Sequence, residues 1–136
     1  MAKPRILVTR RWPEEVERQL AERFAVSFNE SDAPLGAAAL AAAMDDYDVL
    51  CPTVSDKISE DVIGAGDRVK LIANYGVGFE HIDVAAAQAK GIAVSNTPGV
   101  LTDATADIAL TLILMAARRA GEGERELRAG QWSGWR

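Results

Sequence analysis

Cysteine and histidine are almost missing: the 136 residues hold one of each, Cys51 and His81. A lone cysteine excludes a disulfide framework and a cysteine-rich zinc site. A lone histidine excludes a histidine-cluster metal site. It also leaves a Ser-His-Asp or Cys-His mechanism very few candidates. Surplus positive charge is missing too. Fifteen Lys and Arg against twenty Asp and Glu give a net charge of −5, which argues against nucleic acid as a partner, because phosphate binding needs a basic face. Long apolar runs are absent. The longest, Ile108 to Ala117, lies between Asp107 and Arg118 and is far short of the roughly 20 residues that span a bilayer. In MAKPRILVTRRW the apolar stretch is too short for a signal peptide, and Arg10 and Arg11 follow at once. The expectation is a soluble, cytoplasmic protein with no membrane and no nucleic-acid partner.

What remains is ordinary globular composition, 49% hydrophobic and 26% charged, in a chain of single-domain size. No linker and no fixed repeat interrupts it. Short apolar runs alternate with helical patterns. Arg5 to Thr9, Ala25 to Phe28, Asp48 to Pro52, Val69 to Asn74 and Ile92 to Ser95 read as strands. Pro52 must close its strand, since proline cannot donate to a ladder. Between the strands, Pro13 suits a first helical turn, and Val16, Leu20 and Phe24 share one helix face. Gly36 to Met44 is an alanine-rich helix. Ser59 can cap Glu60 to Ile63, with Gly64 and Gly66 as the stop. Asp83 can cap Val84 to Lys90, with Gly91 as a left-handed stop. Thr102 to Arg128 reads as one long helix, with a break expected near Gly121-Glu122-Gly123. Strands that are apolar without strict alternation are buried on both faces. Right-handed crossovers then give an α/β, doubly wound, five-stranded parallel sheet, and analogy with other five-stranded doubly wound folds gives the expected order 2-1-3-4-5. Ligands of such sheets bind beyond the carboxyl ends of the strands. That points to Thr9-Arg10-Arg11, Thr53-Val54-Ser55, Tyr75 to Glu80 and Asn96-Thr97-Pro98.

The richest stretch is Asn74-Tyr75-Gly76-Val77-Gly78-Phe79-Glu80-His81-Ile82-Asp83, between a strand and a helix. Gly76 and Gly78 can take positive φ and let a ligand approach the backbone. The N–H groups of Val77, Gly78 and Phe79 can then cradle an oxyanion near a helix start. The spacing is also that of a G-x-G-x-x-G dinucleotide turn. However, His81 replaces the third glycine, and the next strand ends in Asn96 rather than an acid that holds a ribose. A dinucleotide turn, a tight turn without ligand and a small carboxylate site all stay open. His81 titrates near neutrality, yet no second polar group lies near it in sequence, so capping or packing at the helix start is expected. Asp103 and Asp107 suit a helix N-terminus, where Thr105 offers a hydroxyl to a ligand or merely belongs to a cap. Ile108 to Met115 make a helix apolar nearly all round, which needs cover on every side. Trp132 and Trp135 near the end expect further packing of the same kind, or form a loose end.

Three stretches resemble the D-isomer-specific 2-hydroxyacid dehydrogenases, the family that includes glyoxylate and hydroxypyruvate reductases. They are Leu71 to Asp83, Gly91 to Thr102 and Ala104 to Leu110; residues 1 to 68 match only in pattern. The resemblance implies a flavodoxin-like substrate-binding domain at 1–101. It implies that 102–136 is an interdomain and dimerisation helix plus the start of an NAD(P)-binding Rossmann domain. It implies that the amides of Val77 and Gly78, flanked by Gly76 and Tyr75, hold the carboxylate of a small 2-keto or 2-hydroxy acid. Thr105 would sit near the NAD or NADP cofactor, and helix 103–128 would form a homodimer. The family's catalytic arginine, glutamate and histidine belong to a cofactor domain that these residues do not include, and His81 does not match that histidine. The chain is therefore expected to bind substrate, to hold no cofactor tightly and to be inactive alone. The other reading is a free-standing carboxylate-binding or dimerisation module.

Overall fold

A computed structural model describes residues 2–135. The chain divides into two compact units, Met1–Pro98 and Gly99–Arg136.

The first unit alternates strand and helix: β1 (Arg5–Val8), α1 (Glu14–Arg23), β2 (Ala25–Phe28), α2 (Ala37–Asp46), β3 (Val49–Cys51), α3 (Glu60–Gly64), β4 (Leu71–Ala73), α4 (Val84–Ala89) and β5 (Ala93–Ser95). All strand pairs are parallel, as the alternating pattern predicts, and the order is β2-β1-β3-β4-β5, as analogy with other doubly wound folds leads one to expect. One row of partners, Leu7, Leu50, Ile72 and Val94, crosses the sheet. Because successive strand residues face opposite ways, this row packs with Leu40, Met44, Ile58, Val62, Ile63 and Ile82 in the larger core. Ile6, Val8 and Cys51 face the other way, against Leu20 and Phe24. Burial pushes the Cys51 thiol up to about 12, so it packs as a small apolar group and is no nucleophile.

Local signals explain most boundaries. Asp83 caps α4 by accepting from the Ala86 amide at 2.9 Å, and Gly91 takes the left-handed stop at φ +70°. Ser59 stands before α3 but its side chain makes no cap bond. Pro13 occupies the cap position of α1, where its carbonyl accepts from the amides of Val16 and Glu17. Gly66 has a packing reason: a Cβ there would stand 2.5 Å from the Met44 carbonyl carbon.

The second unit holds α5 (Thr102–Ala117) and α6 (Ala120–Arg128). The helix breaks earlier than Gly121-Glu122-Gly123. Arg118 ends α5 and Arg119 takes φ +53°, while Gly121 and Gly123 stay helical. Glycine weakens a helix interior by only about 1 kcal/mol, which does not force a break. Leu101 precedes α5 without a side-chain cap, so neither Asp103 nor Asp107 caps it. Ile108, Leu110, Leu112, Ile113 and Leu114 are each about 60% exposed. Trp132 and Trp135 meet edge to face, centroids 6.0 Å apart. No helix of the described residues is long and apolar enough to cross a membrane.

Candidate functional site

The carboxyl ends of the strands are tied together by side chains placed just beyond them. Thr9, after β1, donates its hydroxyl to Asp56 Oδ2 at 2.5 Å, and the Thr53 amide reaches the same oxygen at 2.9 Å. Asp56 is fully buried and its other oxygen has no partner among the described residues. Beyond β1, Arg10 spans from Asp32 (2.9 Å) to the Ser55 hydroxyl (2.8 Å), and Arg11 grips Glu17 with two nitrogens. Both arginines of the rim are therefore engaged in ion pairs.

The glycine stretch follows β4, and two asparagines shape it. Asn74 stands one residue past β4. Its Nδ2 donates to the carbonyls of Gly76 (3.2 Å) and Gly78 (2.9 Å). Asn96 stands one residue past β5, and its Nδ2 donates to the Val77 carbonyl at 2.8 Å. The Thr97 amide adds a second bond to Gly76 at 3.0 Å. Three successive carbonyls are thus held. In a trans planar peptide the N–H points opposite to the C=O, and no cis bond occurs among the described residues. The amides of Val77, Gly78 and Phe79 consequently face away from the tethers. Among the described residues nothing accepts from them. Unpaired amides in succession form an anion-binding concavity.

Two sequence expectations need correction here. Gly76 and Gly78 do not adopt positive φ; the left-handed glycines are Gly91, Gly99, Gly130 and Gly134. The loop is shaped by side-chain tethers instead. Of the two structural roles expected for His81, it does not cap α4, where Asp83 does so, but packs beside it with Nε2 3.0 Å from Asn74 Oδ1, a polar neighbour seven residues back in the sequence. Burial holds the His81 imidazole below its usual range, against the opposing charges of Asp56 and Glu80, which favours the neutral ring. Tyr75 donates its amide to the Pro52 carbonyl; its ring is tilted 42° against that of Trp12, centroids 4.9 Å apart, and is exposed. The tethering roles of Asn74 and Asn96 were not evident in the sequence. The signal was positional: each is an amide side chain one residue past the end of a neighbouring strand.

Clefts flank the loop. One of about 270 Å³ is lined by Trp12, Asn74, Tyr75, Asn96 and Thr97, among others. Another of about 490 Å³ lies between Val54 to Ser59 and Glu80 to Asp83. Neither is lined by Val77 or Gly78. The Glu80 carboxylate lies 2.8 Å from where a Gly78 Cβ would stand, so a side chain at 78 would meet it.

The same loop does not fit a dinucleotide. His81 fills the place of the third glycine and is bonded to Asn74. Asn96 spends its amide on Val77 and offers no acid to a ribose. The Thr105 amide makes a helical bond to Leu101, and its exposed hydroxyl is a single polar group.

A parallel doubly wound sheet with unpaired amides at its carboxyl edge defines a small-ligand domain of the kind that binds at strand ends. The comparisons then specify the family. The chain belongs to the D-isomer specific 2-hydroxyacid dehydrogenases, matching the model of their catalytic domain over residues 6–130. The likeness therefore extends through the first half of the chain, beyond the motifs after residue 68. A glyoxylate reductase of Thermococcus onnurineus is 39% identical over 130 residues, 96% of this chain and 39% of the relative. One of Thermofilum pendens is 42% identical over 133 residues, 97% of this chain and 39% of the relative. The chain thus spans about two fifths of the length of these relatives. Among solved structures, the NADPH-dependent glyoxylate/hydroxypyruvate reductase of Sinorhizobium meliloti, in complex with NADP and malonate, superposes with a TM-score of 0.78. It is 34% identical, and the match covers 96% of this chain and 40% of that one. The TT0316 protein of Thermus thermophilus reaches 0.87 at 41% identity, over 97% of this chain and 42% of that one.

Proposed function

We propose that these residues form the substrate-binding part of an NAD(P)-dependent oxidoreductase that reduces a small 2-keto acid to the D-2-hydroxy acid. Glyoxylate and hydroxypyruvate are the candidate substrates. The reading is supported by family membership and by the names of the relatives. The observation that carries it is the set of three tethered carbonyls, which leaves the Val77, Gly78 and Phe79 amides unpaired. A carboxylate accepting two or three such amides is held by charge-assisted bonds. Gly76 and Gly78 put no side chain of their own into that approach, although the Glu80 carboxylate lies 2.8 Å from where a Gly78 Cβ would stand, and the Tyr75 ring is the proposed wall beside it. Residues 1–101 are the substrate-binding portion, and 102–136 the interdomain and dimerisation helix with the start of an NAD(P)-binding domain. Thr105 is the contact this chain offers toward the cofactor. No catalytic step is assigned to the chain: His81, its one histidine, is committed to Asn74, and Cys51 is buried and protonated.

Titrating the 15N-labelled chain with glyoxylate tests this reading. Saturable shifts are expected at the amides of Val77, Gly78 and Phe79. Shifts absent there, or centred elsewhere, remove the loop from the site. The same chain should not oxidise NADPH in the presence of glyoxylate; measured turnover would place acid–base chemistry within these residues.

A further inference from the structure

We infer that His81 and Asn74 are positioning residues: an N–H on His81 Nε2 locks the Asn74 amide, which in turn aims the loop amides at the ligand. The inference deepens the carboxylate reading above and rests on it. Its basis is a counting argument. The Asn74 side chain has one oxygen that only accepts and one nitrogen with two donors. One end of it faces the carbonyl oxygens of both Gly76 and Gly78. Carbonyls only accept, so that end must be the nitrogen, and both of its hydrogens are spent. The other end is therefore Oδ1, and it faces His81 Nε2 at 3.0 Å. An oxygen without hydrogen needs a donor, so Nε2 carries the proton. Through Asn74, the two glycine carbonyls fix the tautomer of His81.

The consequence runs outward from the ring. Asn74 is 3% exposed, so water cannot readily replace a lost partner. Without the His81 donor, Oδ1 is unsatisfied and the amide gains nothing by staying in this orientation. Rotating it would place oxygen against the Gly76 and Gly78 carbonyls, which repel it. The Gly78 carbonyl, which Asn74 alone holds among the described residues, is then released, and the Phe79 amide turns with it, because the two share a peptide plane. The Val77 amide shares its plane with the Gly76 carbonyl, which the Thr97 amide also holds, and the Gly78 amide shares its plane with the Val77 carbonyl, which Asn96 holds. The expected effect is thus uneven, larger at Phe79 than at Val77 or Gly78.

The test has a ligand-free arm and a ligand arm, both on the labelled chain. The first reads the wild-type His81 ring directly and needs no variant. At neutral pH, Nε2 should give the protonated-nitrogen signal and Nδ1 the unprotonated one; the reverse overturns the inference. In His81→Phe, which keeps a ring but no donor, the Phe79 amide should shift more than Val77 or Gly78, and the Asn74 side-chain amide should exchange faster with solvent. His81→Gln, which restores an N–H, should recover the wild-type pattern. Unchanged loop amides in His81→Phe overturn the inference. If that variant does not fold, Asn74→Asp replaces it: its carboxylate faces two carbonyl oxygens and should produce the same uneven shifts, and their absence counts equally against the inference. In the ligand arm, His81→Phe should weaken glyoxylate binding about tenfold, the scale of one lost charge-assisted bond, and His81→Gln should restore it. Binding that is intact in wild type and equal in His81→Phe refutes the positioning role alone. No binding in wild type, with the ligand-free arm as expected, refutes the carboxylate reading and the positioning role with it, while the ring tautomer stands.

Discussion

At the scale of single residues, the ends of the strands are held by buried charge. Glu17 is 6% exposed and receives Arg11 Nε at 3.0 Å, Arg11 Nη2 at 2.6 Å and the Trp12 amide at 2.8 Å. Burial alone would raise its carboxyl above the usual range. The bonds from Arg11 and Trp12 and the Arg11 charge outweigh burial and hold it below. A carboxylate with a depressed folded pKa stabilises the fold above its unfolded value, about 4.3. That contribution is lost as pH falls through the folded pKa. Glu17→Gln keeps the shape and removes the charge. It should cost about 1–2 kcal/mol at pH 7, the scale of charge-assisted bonds in a buried setting. The difference from wild type should shrink as the pH drops below about 4, where wild-type Glu17 itself takes up a proton. Urea unfolding at pH 7 and at about pH 3 checks both parts. A constant difference across that window would remove the ion pair as its cause. Glu17 was not legible in the sequence. Its position in α1 places it among charged neighbours, and nothing local says that the loop from β1 folds back over it. His81 illustrates the same limit: its partner Asn74 precedes it by seven residues, across a loop whose path depends on Asn96, a strand further on.

At the scale of elements, the strands and the helix signals could be read because they depend on local chemistry, whereas the strand order was expected only by analogy with other doubly wound folds. Apolar runs marked all five strands, Asp83 marked a cap, and Gly91 marked a left-handed stop. Tertiary approach set the rest. Gly66 reads as one of a pair of stops after α3, but α3 ends at Gly64, and Gly66 is instead where the chain passes the end of α2. A Cβ at 66 would meet backbone atoms of Met44 and Asp45 at 2.5 and 2.6 Å. Backbone cannot rotate away as a side chain can. Gly66→Ala should therefore destabilise by about 1–3 kcal/mol, the usual cost of overpacking. Gly64→Ala, with open space around the new Cβ, should be far milder. Thermal unfolding of the two variants side by side separates packing from backbone freedom; equal losses would show that packing is not what requires Gly66. The helix break was misplaced for a related reason. Glycines at 121 and 123 are weak breakers, whereas the turn actually taken at Arg119 has no marker in the residue type.

At the scale of the molecule, α5 is the part that a lone chain leaves unsatisfied. Its apolar residues form two stripes at helical spacing. Ile108, Leu112 and Met115 lie on one, and Leu110, Ile113 and Leu114 on the other, all exposed. An exposed apolar surface this continuous marks an interaction site. The proposed homodimer would cover at least one stripe with the same stripe of a second copy, as a two-fold interface requires. The chain should then sediment as a dimer at micromolar concentration. Leu110→Glu with Leu114→Glu charges one stripe, and Ile108→Glu with Leu112→Glu charges the other. An unpaired buried carboxylate costs several kcal/mol, so the pair that meets the partner should weaken association more than about a hundredfold. The other pair should leave it intact, which identifies the stripe in use. Substitutions on α5 change no residue of the glycine loop, so carboxylate binding by the Val77 and Gly78 amides should persist in the monomeric variant. A wild-type chain that sediments as a monomer at every concentration defeats the dimer proposal and leaves the loop reading untouched. Loss of glyoxylate shifts on monomerisation would instead make the carboxylate site a property of the assembled pair.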